Sequence, residues 1–190
     1  MRISQALYPE LSMLEVTLRN SIDTMLKSCI SETWLEDEVQ KQKILSNHDH
    51  EKLITVYNDT KKEYKNRDFT LGKVIANLNF GFWTNLCSKW YCSNIWNKGR
   101  YFKGVFVNYP SNVNNIGIIA TKLRLIRRFR NRVFHYEKIF KYPDRTLSLY
   151  NDILEMLSYL PNDDLEILKR TSTFLDTYNK LIKNIGNKKT

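Results

Sequence analysis

Ile3, Leu7, Leu11, Leu14, Leu18, Ile22 and Met25 recur at steps of three and four residues, and this spacing restricts the chain more than any other feature. Such a run places an unbroken apolar stripe along one side of an α-helix, which must find a partner surface to cover it. A helix over residues 3–28 is predicted. The same reading extends along the chain. The polar stretch from Glu32 to His50 has room for a short helix, with His48 and His50 in an exposed turn. Leu53, Val56 and Tyr57 mark a second main helix ending near Arg67. Thr70 is a cap for a third, running through Val74, Leu78, Phe82 and Leu86 to Trp90. Residues 93–115, rich in Asn, Gly and aromatics, are expected to form a loop or hairpin. A long helix follows over about 113–140. Pro143 and Asp144 open another through Leu157, and Pro161 with Asn162, Asp163 and Asp164 opens the last, to about Ile185. The expected architecture is an all-α bundle of about five to seven helices in a single domain over 1–190, with a loose tail at about 186–190.

With 190 residues, 42% of them hydrophobic, the chain has enough apolar surface for a real core. Its charge is unevenly placed. Residues 97–145 hold twelve Lys or Arg against Glu137 and Asp144, which accounts for the whole formal net charge of +10. A concentration of this kind points to a polyanion at one place, although a solvated helix face also carries charge. Cys29, Cys87 and Cys92 are odd in number and lack metal-ligand spacing, so buried free thiols and a reducing, cytoplasmic setting are expected. The N-terminus shows no basic segment followed by an apolar one, and no signal peptide is expected. The longest uncharged run, Gly104 to Thr121, contains Pro110 and four Asn, which argues against a membrane span.

The long helix is also where the chemistry gathers. Projected at about 100° per residue, Ile118, Leu125, Phe129, Val133, Tyr136 and Phe140 fall on one arc, expected to face the core. Arg124, Arg127, Arg128, Asn131, His135 and Lys138 fall on the other, with Asn131 and His135 one turn apart. His135 combines a proton-transfer group with fixed positive charge, the two requirements of RNA cleavage at a phosphate. The plain alternative is a surface histidine among arginines. Arg130 projects to the border of the apolar arc and needs a carboxylate, for which Glu137 or Glu15 is available. His48-Asp49-His50 makes a poor metal site, since residues two apart do not share a helix face and no further ligands are evident. Tyr101 and Phe102, flanked by Arg100 and Lys103, are the best candidates for stacking on bases.

Arg130-Asn131 followed after three residues by His135 resembles the Arg-x4-6-His signature of the HEPN ribonuclease superfamily. Three stretches resemble its Abi-like (abortive infection) branch: Leu14 to Ile22, reading LEVTLRNSI; Phe80-Gly81-Phe82-Trp83; and Arg130 to Glu137, reading RNRVFHYE. The resemblance implies a helical bundle that dimerises so that two such motifs face each other, and a metal-independent endoribonuclease without cofactor. It further implies a toxin-like effector of phage defence, with an antitoxin protein or RNA as a further partner. One protomer offers one suitable histidine, whereas cleavage by the ribose 2′-OH needs both a base and an acid, so a composite site in a homodimer meets the requirement. In this reading Arg130, Asn131 and His135 are catalytic. Arg124, Arg127, Arg128, Arg132, Lys138, Arg100 and Lys103 hold the RNA backbone. Glu15, Arg19 and Asn20, which match the family's first-helix motif, support the site or simply pair helices, and Glu137 supports Arg130. The alternative is a non-catalytic RNA-binding protein of the same fold.

Overall fold

A computed structural model describes residues 2–64, 68–98, 101–110 and 115–186. In chain order the helices are α1 (Arg2–Gln5), α2 (Tyr8–Cys29), α3 (Trp34–Lys41), α4 (Asn47–Glu63), α5 (Leu71–Asn77), α6 (Phe80–Leu86), α7 (Tyr101–Val105), α8 (Ile116–Phe134), α9 (Pro143–Tyr159), α10 (Leu165–Thr171) and α11 (Phe174–Gly186). Short 3-10 turns lie at Lys89–Tyr91 and Ile139–Lys141, and a π-helical turn at Cys92–Trp96. The chain is thus all-α, with no strand among the described residues. The helices outnumber the five to seven expected because several continuous stretches are broken by local chemistry.

Pro9, at the second position of α2, has no amide hydrogen to give to the Gln5 carbonyl, and the expected first helix divides there. Asn79 divides the third: its side chain accepts from the Phe82 amide at 3.0 Å and opens α6, while Leu78 before it is extended. Ser172 divides the last, its hydroxyl accepting from the Phe174 amide at 3.3 Å. Ser46 caps α4, so His48 and His50 lie on the first turn of a helix and not in a free turn. Residues 93–110 are largely helical turns and not a hairpin where described, because Ile95, Trp96, Phe102, Val105 and Phe106 all turn inward.

The expected long basic helix starts outside the described residues, at 113, and is observed from Ile116; at its other end it stops at Phe134, six residues early. Tyr136 has φ 53, the left-handed conformation that ends a helix. Its amide donates to Val133 O at 3.1 Å and the Glu137 amide to Arg132 O at 2.9 Å, the two bonds of a Schellman motif. The buried row of α8 is Ile116, Ile119, Leu123, Ile126, Phe129 and Val133. The projected core arc is therefore corrected by part of a turn: Ile118 and Tyr136 are 53% and 60% exposed. Ile118 projects to the edge of this row, about 90° from its centre, and the left-handed step at Tyr136 takes the chain off the helical register.

Buried side chains form one cluster from Ile3 to Tyr178. At the centre α2 packs on α6, α7 and α9, and α8 packs on α6 and α9. Each fully buried Leu contributes roughly 1.5–3 kcal/mol, and Leu7, Leu11, Leu14, Leu18 and Ile22 on α2 and the turn before it line that seam. No helix among the described residues is long and apolar enough to cross a membrane. Cys29, Cys87 and Cys92 are unpaired; only Cys87 is fully buried, the other two half-buried. Of the tail expected at 186–190, Gly186 is the last residue of α11 and 187–190 lie outside the described residues.

Candidate nucleic-acid interface

α8 is held in place by pairing some of its cations and leaving others open. Lys122 reaches across to α9, where it meets Asp152 at 2.9 Å and also Glu155. Arg132 Nε donates to Glu137 Oε2 at 2.9 Å and closes the Schellman turn. Arg130 donates through Nη2 to Glu15 Oε2 on α2 at 3.2 Å, so Glu15 and not Glu137 is its carboxylate. Arg124, Arg127 and Arg128 make no ion pair among the described residues. The unpaired cations of this helix are thus Arg124, Arg127 and Arg128, whereas Lys122, Arg130 and Arg132 each meet a carboxylate.

Arg130 is constrained further. Its guanidinium carbon stands 4.1 Å from the centroid of the Phe134 ring, which in turn packs on Tyr8 at 4.9 Å. Stacking and ion pairing fix its plane, yet Arg130 Nε is buried without a hydrogen-bond partner. A buried N–H donor with no acceptor is costly, and an anionic oxygen would satisfy it. Arg130 also borders a cleft. Asn79, Phe80, Gly81, Arg127, Arg130 and Asn131 line a cleft of 170 Å³ between α6 and α8. Gly81 matters to its shape: Arg127 lies across it, Nη1 at 3.5 Å from its carbonyl, and a Cβ there would come within 3.0 Å of the capping Asn79 oxygen. Arg127 also borders a second, larger cavity of 380 Å³ whose walls include Thr84, Asn85, Ser88, Ile116, Ala120 and Arg124. Both cavities lie along the groove between α6 and α8, with Arg127 as a wall they share.

His135 stands apart from this groove. It is the C-cap of α8, its amide donating to Asn131 O at 2.9 Å, and its exposed imidazole has no hydrogen-bond partner among the described residues. It lies beyond the helix and not within it, which corrects the expectation. Asn131, one turn earlier, is exposed and does face the cleft. Lys138 is exposed after the Schellman turn.

The other expected residues fall elsewhere. Arg19 donates to Asn20 Oδ1 at 3.2 Å and approaches Ala76 O at 3.5 Å, tying α2 to the end of α5, which is helix pairing. Lys103 donates to Tyr109 O at 2.6 Å, within its own turn. Phe102 is buried against Phe106 and Tyr109 and is not free to stack on a base, while Tyr101 is half-buried and donates its hydroxyl to Cys29 O at 2.8 Å. Arg100 lies outside the described residues. Among the described residues no group of three or more His, Cys, Asp or Glu is placed to share a metal ion.

Sequence reasoning missed the wall opposite α8. Asn79, Thr84, Asn85 and Ser88 are the polar positions of an otherwise aromatic segment, and that alternation was the available signal. Comparison with protein-family models, with curated proteins and with solved structures finds no match to this chain.

Proposed function

We propose that this chain is a metal-independent endoribonuclease of the HEPN type, acting in abortive infection or a related growth-arresting defence. The observation that carries the reading is the Arg127–Arg130–Asn131 cleft, in which a rigidly held guanidinium keeps a buried N–H without an acceptor. Such a donor set suits a phosphate oxygen that gains charge in the transition state. In the reaction a base removes the ribose 2′ proton and the 2′ oxygen attacks phosphorus. The bond to the 5′ oxygen breaks, and that oxygen takes a proton from an acid, leaving a 2′,3′-cyclic phosphate and a 5′-hydroxyl. His135 from each of two protomers fills the two proton-transfer roles, Arg130 stabilises the pentacoordinate phosphate, and Asn131 orients it.

A second reading is a non-catalytic RNA-binding protein, favoured by the position of His135 outside the cleft within one chain. One experiment separates the two. The wild type should cut RNA in the presence of EDTA, fail on a substrate carrying a single 2′-deoxy residue at the scissile position, and lose cleavage in His135→Ala. Binding without cleavage would select the second reading, and cutting of the deoxy substrate would show that water is the nucleophile.

A further inference from the structure

The larger cavity of the groove has an architecture that phosphate binding does not require. Asn85, half-buried on its wall, donates through Nδ2 to Asp49 Oδ2 at 2.6 Å. Asp49 is fully buried, and the same oxygen also accepts from the Tyr91 hydroxyl at 2.6 Å and from Ser46 Oγ at 3.1 Å. Tyr91 is itself fully buried, and its hydroxyl oxygen accepts the Ser46 amide at 3.1 Å. A carboxylate oxygen accepts only, so the side of Asn85 that faces it must be the amide NH2. The Asn85 carbonyl, Oδ1, is thereby turned away from Asp49 and has no partner among the described residues. Buried groups that fix one orientation of a surface amide are the usual way of presetting a hydrogen-bond reader.

The rest of the cavity suits a planar aromatic ring beside a phosphate. Ile116 and Ala120 supply apolar wall, Arg124 and Arg127 supply cations at the same mouth, and 380 Å³ falls within the range of small-ligand sites. Arg127 and Asn131 are four residues apart on α8, about 6 Å along its axis, so the cavity adjoins the cleft at Arg130. We infer that the Asn85 cavity is a base-reading subsite of the proposed ribonuclease, selecting an RNA base with an exocyclic amine, adenine or cytosine, next to the phosphate held at Arg130. Resting on that reading of the groove, it adds the specificity: Oδ1 accepts from the 6-amino group of adenine or the 4-amino group of cytosine, and opposes the oxo group that hypoxanthine or uracil carries at the same place. Asp49 acts as a positioning residue through Asn85.

Titration with AMP, IMP, CMP and UMP, followed by the Asn85 side-chain amide resonances and by calorimetry, tests this without any cleavage. AMP should bind at least tenfold more tightly than IMP, and CMP more tightly than UMP. Asn85→Ala should leave AMP and IMP equally bound, since the arginines still hold both phosphates. Asp49→Ala should erase most of the preference, since no carboxylate then fixes which side of the Asn85 amide faces the cavity. Should Asp49→Ala fail to fold, the Asn85→Ala comparison decides alone. Equal binding of AMP and IMP by the wild type, or shifts that spare Asn85, overturns the subsite even if RNA is cut. A clear AMP preference in a protein that never cuts RNA keeps the subsite and removes the nuclease.

Discussion

Glu15 on α2 and Arg130 on α8, 115 residues apart in the chain, meet at 3.2 Å beside the α6–α8 cleft. The ion pair joins two stretches that stand as separate motifs in the sequence, and makes Glu15 the group that fixes the guanidinium. Glu15→Ala should therefore cost about 1–3 kcal/mol of stability, since it leaves a half-buried cation unpaired. Urea unfolding measures this. RNA cleavage should fall in the same variant, and Glu15→Asp, too short to reach, should behave nearly as badly. Unchanged stability in Glu15→Ala would mean that Phe134 alone holds Arg130.

Open and committed cations on α8 should separate in a salt titration. Replacing Arg124 and Arg127 by Ala should weaken RNA binding and flatten the plot of log affinity against log salt, by about 0.7 for each single-strand phosphate that is no longer neutralised. Lys122→Ala should leave that slope alone and instead cost up to about 1 kcal/mol, because its charge is engaged by Asp152 and Glu155 in a partly exposed pairing. A slope reduced by Lys122→Ala would put α9 in the binding surface.

Tyr136 carries strain that can be read directly. At φ 53 a residue with a Cβ costs about 1–2 kcal/mol relative to glycine. Tyr136→Gly should thus be more stable than Tyr136→Ala by about 1 kcal/mol in thermal or urea melts. Equal stability of the two would show that the turn after His135 relaxes out of the left-handed region.

A buried acid sets a pH dependence of opposite sign from a salt bridge. Glu10 is fully buried and accepts from the Ser172 hydroxyl through one oxygen, the other having no partner. Burial holds its carboxyl above the ordinary value of 4.5. The folded state therefore binds this proton more tightly than the unfolded state, and the stability it contributes is lost as pH rises from about 4.5 through the raised folded value. Glu10→Gln should be more stable than the wild type at neutral pH and nearly equal to it at pH near 4 in matched melts. Parallel stability curves for the two proteins would refute the assignment.

What was legible in the sequence was periodicity. The α2 stripe, the Pro143 start of α9 and the helical class all follow from apolar spacing, which burial enforces whatever the details. Less legible were the stops. A Schellman turn usually announces itself with glycine, and here Tyr136 takes the place, so nothing local separated His135 from the helix before it. Arg130, Asn131 and Arg127 stood out because they lie on one helix, where spacing converts directly to direction. Asn85 did not, since its orientation depends on Asp49, thirty-six residues earlier, and on Tyr91 behind it. Charge counting misled for a related reason: it cannot tell Lys122, engaged with α9, from Arg124, which is open.

Pinning has a mechanical consequence for α8. Lys122 latches one half of the helix to α9, while Glu15 grips Arg130 and Glu137 clasps Arg132 in the other half. Lys122 and Arg130 tie α8 to α9 and α2 at two levels, and the guanidinium stems along it stand like the teeth of a comb at a spacing set by the α-helical rise. On the proposed reading, an RNA laid across them would have to do the bending.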